Sequence, residues 1–313
     1  MLGKEPLMSE RNLIGYGEYP PDPEWPGDAH LAVQFVVAYE TGGERSILYG
    51  DDRSEDVLTD IYGTTSVLNG RNIMVESTFE YGSRVGIWRL LRLLAEHDIK
   101  VSALCVGAAI EKHPGLAGSL VAAGHEIMSH GWRWIDYEPV PEEVEREHIR
   151  LAVEAITRTS GSRPLGTLTG RPSANTRRLN VEEGGFLYDQ DYLGDELPHW
   201  VLVNDRPHLV LPYSYETNDN AFSARQGFVT GDEFFTYLRE AFDFFYKEGQ
   251  KSPRMMTVAV HDRLTGRPGR ASGFERFLDY VVSRRRVWIC RGVDIARHWH
   301  GRHPYSKRSE GAA

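Results

Sequence analysis

The sequence predicts an α/β protein in which parallel strands alternate with helices, and three observations carry that expectation. Leu31–Tyr39, LAVQFVVAY, is an almost continuous apolar run of strand length, the pattern of a strand covered on both faces. Further strand-like runs are separated by helix-patterned sequence, so that seven strands alternate with helices along the chain. Four strand ends carry polar or aromatic clusters: Tyr39-Glu40, Ser129-His130-Gly131-Trp132, Thr169-Gly170-Arg171-Pro172 and His261-Asp262-Arg263. This pattern fits a (β/α) barrel one strand short of eight, and equally an open doubly wound sheet.

Each element has its own justification. Residues 11–28 hold Pro20, Pro21, Pro23 and Pro26, which fix φ and remove donors, so the segment is extended and lies outside the fold or against a neighbouring subunit. The first strand breaks into a loop with two glycines and two carboxylates at 40–44. Residues 82–98 predict a helix with Ile87, Leu90, Leu91 and Leu94 on one face and Ser83 as cap, leaving Glu76 in the preceding strand or loop. Strands are then expected at 101–106 and 125–128, with a helix at 116–123 between them. A helix over 141–159 buries Ile149, Ala152, Val153 and Ile156, with Glu142, Glu143, Glu145 and Glu147 in its first half, where the helix dipole favours them. Strand 165–168 leads to a helix from Asn175, and 186–188 leads to Asp189-Gln190-Asp191. Strand-like runs at 200–203 and 209–211 precede a helix over 232–248, strand 255–260, a helix from Phe274 and a final strand, Val287–Cys290. The expected organisation is an extended segment over 1–30, one barrel domain over 31–301 and a flexible tail over 302–313.

Bulk composition excludes several classes. The 313 residues carry 36 Lys+Arg against 45 Asp+Glu, net charge -9, and no basic run exceeds Arg284-Arg285-Arg286, which argues against a nucleic-acid partner. No apolar run approaches membrane-spanning length, and residues 1–29 lack an export-signal core. Cys105 and Cys290 both sit in apolar strand-like runs, which suits core thiols of a reducing compartment. The expectation is a cytoplasmic protein.

A parallel barrel brings its strand C-termini to one face, so residues distant in sequence meet in one pocket. That convergence raises His130 and His261 above the other histidines as a functional pair.

The segments RNLIGYGEYPPDPEWPG, YETGGE, FEYGSR, SHGWRWIDY, NTRRL, EEGGFLYD, LPYSYETND and the GRPGR after His261 carry a resemblance over nearly the whole chain. They resemble the polysaccharide deacetylase superfamily and, within it, the metal-independent bacterial allantoinases. The resemblance implies a distorted seven-stranded (β/α) barrel. That superfamily commonly has an Asp-Asp pair after its first strand, where this chain has Tyr39-Glu40, and a second histidine four residues after the first, where this chain has Trp134. With His130 the main imidazole donor and only Glu40 or Glu76 to assist it, no catalytic metal and no cofactor are expected. The implied activity is hydrolysis of a small cyclic amide, an allantoin-like, hydantoin or imide ring. His130 and Glu40 would orient and deprotonate water while His261 protonates the leaving nitrogen. Arg171 would donate to a carbonyl or ureido oxygen, or else make a structural salt bridge. Asp191 would orient Arg171 or a histidine, and Trp132 and Trp134 would wall a planar ring, with Tyr39 beside them. Asp262, adjacent to His261 on a strand, is expected to point out of the pocket. Two other readings stay open: a metal-dependent N-deacetylase of a sugar or peptidoglycan fragment, and an inactive ligand-binding or structural barrel. The resemblance also implies a homo-oligomer, with a tetramer as the expected form.

Overall fold

The computed structural model describes residues 11–224 and 227–306. Of the expected flexible tail, residues 307–313 lie outside the described residues, as do residues 1–10 of the N-terminal segment.

The strands are β1 (Leu31–Tyr39), β2 (Ser102–Cys105), β3 (Glu126–Ser129), β4 (Gly166–Thr167), β5 (Tyr188–Asp189), β6 (His199–Val203), β7 (Arg206–Val210), β8 (Arg254–His261) and β9 (Val287–Cys290). They form one curled, mostly parallel sheet, a half-barrel with the order β6-β7-β5-β4-β3-β2-β1-β8. The helices are α1 (Ile73–Tyr81), α2 (Ile87–Glu96), α3 (Gly107–Lys112), α4 (Pro114–Ala122), α5 (Glu142–Ser160), α6 (Thr176–Glu183), α7 (Gly231–Glu248), α8 (Pro268–Val282) and α9 (Gly292–Arg302). The strands expected to alternate with helices are all present. The strand-like run expected at 200–203 is β6, which pairs antiparallel with β7, and with the two-residue β5 the described residues hold nine strands against the seven counted from the sequence.

β1 organises the sheet. One edge pairs along Leu31–Ala38 with β8, and the other is shared, Val36–Tyr39 pairing with β2 and Leu31–Gln34 with β9. All nine of its residues are buried, as its apolar run predicts. Strand side chains alternate between faces. Leu31, Val33, Phe35, Val37 and Tyr39 join the core beneath the helices, whereas Ala32 and Val36 face the half-barrel interior. The same parity holds on β8, where Met256, Val258 and Val260 face the helices and Met255 and Ala259 the interior.

Irregular chain fills the gap between β8 and the β6/β7 hairpin. Met255 donates its N–H to Glu196 O at 3.2 Å and Ala259 donates to Thr217 O at 3.1 Å, extending the ladder without a regular strand. This brings the 214–220 loop against the C-terminal end of β8.

The helix expected over 82–98 begins earlier. α1 starts after Asn72, whose side chain accepts from Val75 N at 3.2 Å, and it passes through a π-helical turn, Gly82–Gly86, into α2. Ser83 is therefore inside a helix rather than capping one. Glu76 lies in the first turn of α1, paired with Arg71. Among the described residues no helix is long and apolar enough to cross a membrane. Both cysteines are free and buried.

Candidate active site

Parity decides which strand-end side chains enter the interior. Counting on from Val36 and Ala38, Glu40 falls on the interior face, and so do His130 beyond Met128 on β3 and His261 beyond Ala259 on β8. The three converge. Nε2 of His130 lies 3.2 Å from Glu40 Oε1, and Nε2 of His261 lies 3.4 Å from the same oxygen. They line a cavity of about 210 Å³ together with Trp134, Arg171, Tyr213, Tyr215, Asn218 and the cover residues Val57 and Leu58. A larger open cleft of about 820 Å³, between residues 11–20 and 192–197, contains none of these groups. The convergent polar residues mark the smaller cavity as the site.

His261 is held on both sides. Its Nδ1 lies 2.6 Å from Asp219 Oδ1, and its backbone N–H donates to Asp219 Oδ2 at 2.8 Å. Thr265 donates both its N–H and its hydroxyl to Oδ2 of the same carboxylate. Burial alone would lower the His261 pKa, but the Asp219 and Glu40 carboxylates push it up to about 9, so the ring is an imidazolium at neutral pH. His130 is held differently. Nδ1 lies 2.5 Å from Leu168 O, an acceptor, so that nitrogen carries a proton, while Nε2 faces Glu40 Oε1 at 3.2 Å.

Glu40 is 1% exposed. Burial would push its carboxyl up, yet the Arg263 guanidinium, the His261 imidazolium and the His130 hydrogen bond hold it well below the usual carboxylate range. Arg263 Nη1 is 2.6 Å from Glu40 Oε2, a close ion pair whose angles fall outside hydrogen-bonding geometry. The shift favours the Glu40 anion and makes it a weaker base than an ordinary carboxylate, which counts against the expectation that it helps deprotonate water.

The remaining expected residues divide. Trp134 and Arg171 both line the cavity, with the Arg171 guanidinium stacked 4.0 Å from the Trp134 ring centre and its Nη2 buried without a hydrogen-bond partner. Asp191 touches neither Arg171 nor His130 by hydrogen bond. It accepts from Thr169 N and Gly170 N, both at 2.8 Å, fixing the loop that packs on His130; a Cβ at Gly170 would come within 3.1 Å of His130 Cε1. Burial, with the neighbouring Asp189, raises the Asp191 carboxyl to about 6.

Three expected residues lie outside the cavity. Tyr39 has helix-side parity, and its hydroxyl bonds Ser83 Oγ at 2.8 Å and His113 Nδ1 at 3.1 Å. Trp132 packs on α3, where a Cβ at Gly107 would fall 2.9 Å from Trp132 Cε3. Glu76 is committed to Arg71 on α1. Asp262 points away from the cavity, as expected, toward Thr41 and Gly82, and burial raises its carboxyl to about 7.

Sequence reasoning assigned no role to Asp219 or Arg263, although both stand in quoted motifs. Arg263 stands in the turn that follows β8, where the alternation of strand faces no longer applies. Asp219 had no periodic signal either, because an irregular loop delivers it.

The donor set does not suit a resident metal ion. Glu40 is neutralised by Arg263, His261 has a carboxylate at each ring nitrogen, and Trp134 offers no ligand. Among the described residues no group of three or more His, Cys, Asp or Glu side chains is arranged to hold one.

Known proteins with this architecture agree with one another on lineage. The sequence model of the polysaccharide deacetylase family matches residues 68–182. A putative polysaccharide deacetylase of Schizosaccharomyces pombe is 41% identical over 319 residues, covering 96% of this chain and 99% of that protein. The crystal structure of PuuE allantoinase superposes with a TM-score of 0.94 at 49% identity, covering 96% of this chain and 100% of that one. That of a probable polysaccharide deacetylase from Pseudomonas aeruginosa PAO1 superposes with a TM-score of 0.93 at 48% identity, covering 95% and 99%. With near full-length similarity and the same curled sheet, the chain belongs to the polysaccharide deacetylase family.

Proposed function

We propose that the protein is a hydrolase that opens a small cyclic amide, of the allantoin, hydantoin or imide type, by water attack on a ring carbonyl without a tightly bound metal ion. The observation that carries this reading is the pair of histidines whose Nε2 atoms converge on Glu40 Oε1 across one small cavity. With its Nδ1 proton held by Leu168 O, neutral His130 takes a proton on Nε2 from the attacking water, which enters between that nitrogen and Glu40 as the C–O bond forms. The developing oxyanion meets the guanidinium of Arg171, whose plane is braced on Trp134. As the C–N bond breaks, His261 delivers its Nε2 proton to the leaving nitrogen; its 3.4 Å separation from Glu40 is long enough for that proton to turn to a substrate. Glu40 keeps both imidazoles in register, and Asp219 sets the His261 tautomer.

Size supports the ring over a polymer. A cavity of about 210 Å³, roofed by Val57 and Leu58, lies below the roughly 300–1,000 Å³ of sites for drug-sized ligands. The similarity to PuuE allantoinase supports the same substrate class.

The test is turnover of allantoin, hydantoin, succinimide and dihydrouracil by chelator-treated protein, with and without added zinc, beside an N-acetylated sugar oligomer and His261→Ala. Ring opening that survives chelation and is lost in the variant is expected. Activity on the oligomer alone, or on any substrate only with zinc, would replace this reading by a metal-dependent deacetylase.

A further inference from the structure

Two imidazole nitrogens and a carboxylate oxygen meet at Glu40 Oε1, at 3.2 and 3.4 Å, and these are donor types that bind divalent cations. Against the other oxygen of the same carboxylate stands the guanidinium of Arg263. This side chain is fully buried. Its Nε donates to Leu58 O at 2.8 Å, and its Cζ lies 4.3 Å from the centre of the Phe79 ring and 5.1 Å from that of Trp134. Those contacts aim Nη1 at Glu40 Oε2, while Nη1, Nη2 and that oxygen have no aligned hydrogen-bond partner. A buried guanidinium left with unfilled donors is costly, and it is retained here against a carboxylate that needs a counter-charge.

We propose that Arg263 is the resident cation of the site, supplying in fixed form the positive charge that the Glu40–His130–His261 donor set would otherwise draw from a divalent metal ion. It is a positioning residue, acting on substrate through Glu40. Through Leu58 O it also ties that charge to the loop that roofs the cavity. The proposal rests on the metal-free part of the functional reading and not on its ring chemistry.

Cobalt(II) is the probe, because its visible absorption reports its ligands directly. Chelator-treated wild type, Arg263→Gln, Arg263→Lys and the double variant Arg263→Gln/Glu40→Gln are titrated with Co²⁺ at neutral pH without substrate. A ligand-field band rising to about one equivalent is expected for Arg263→Gln, with none for wild type or Arg263→Lys, and loss of the band in the double variant. Should Arg263→Gln be recovered unfolded, refolding it with Co²⁺ is expected to restore the native circular dichroism, since binding to the folded state stabilises it. The proposal is overturned by a wild type that gives the same band, by a folded glutamine variant as colourless as the lysine one, or by an unfolded glutamine variant that metal does not restore while the lysine variant folds without metal. Ring turnover by wild type with no band in Arg263→Gln defeats this proposal alone. The expected cobalt pattern with no ring turnover defeats the ring reading alone.

Discussion

Two carboxylates flank the His261 ring, and their division of labour sets what the residue can do. Asp219 takes the Nδ1 proton at 2.6 Å and, with Glu40, brings the pKa to about 9; Nε2 remains loosely held at 3.4 Å. Replacing His261 by Ala removes the proton donor, and kcat should fall roughly 100- to 10,000-fold with a much smaller change in KM. The alkaline limb of the kcat/KM profile of wild type should have its midpoint near pH 9, where the imidazolium is lost. In Asp219→Asn that limb should move to lower pH, because the largest favourable charge on the ring has gone. An unmoved limb in this variant would mean that His261 is not the acid being titrated. Glu40 contributes to the same shift, so exchanging Glu40 for Gln should also move the alkaline limb to lower pH, by less than Asp219→Asn does, while lowering the height of the profile.

The π-helical turn Gly82–Gly86 brings the α1–α2 helix onto the end of β8. Close approach explains its glycines. A Cβ at Gly86 would fall 1.9 Å from Asp262 O, and one at Gly82 within 2.7 Å of the Asp262 carboxylate. Asp262 lies between His261 and Arg263, so any shift there displaces both side chains that press on Glu40. Gly86→Ala should destabilise the fold by about 1–3 kcal/mol, read from a denaturant midpoint, and should lower kcat in the fraction that stays folded. A variant as stable and active as wild type would show that this turn does not set the geometry of the site. The strand side of the argument is parity. Asp262 was placed outside the cavity because neighbouring strand residues face opposite ways, and the same rule applied to Tyr39 beside Glu40 excludes it too; adjacency in sequence had grouped two residues that the pleat separates.

Over the whole molecule, the buried charges couple stability to pH. The folded-state pKa of Glu40 is depressed, so its contribution is present above the usual carboxylate value of 4.5 and is lost as pH falls through the lower folded value. The folded-state pKa of His261 is raised, so its contribution is complete below 6.5 and is lost as pH rises through about 9. Both are fully present between about pH 4.5 and 6.5, and Tm should fall on the alkaline side of that window. The buried Asp262, raised to about 7, acts in the same direction, so the informative quantity is the difference from His261→Gln. That variant should have a flatter Tm between pH 6.5 and 9 than wild type. Parallel slopes in the two proteins would remove His261 from the account.

The sequence by itself determined the layered α/β architecture, because the apolar run of β1 and the alternation of strand and helix periods are local consequences of which faces must be buried. It also located both histidines, Glu40, Trp134 and Arg171, since a parallel sheet delivers its strand ends to one side. Only the tertiary structure decided that Asp219 grips His261, that Asp191 holds the Gly170 loop, and that Glu40 pairs with Arg263. Those outcomes depend on irregular loops filling the gap in the half-barrel and on the local balance of burial against neighbouring charge. Neither leaves a periodic trace in the order of the residues.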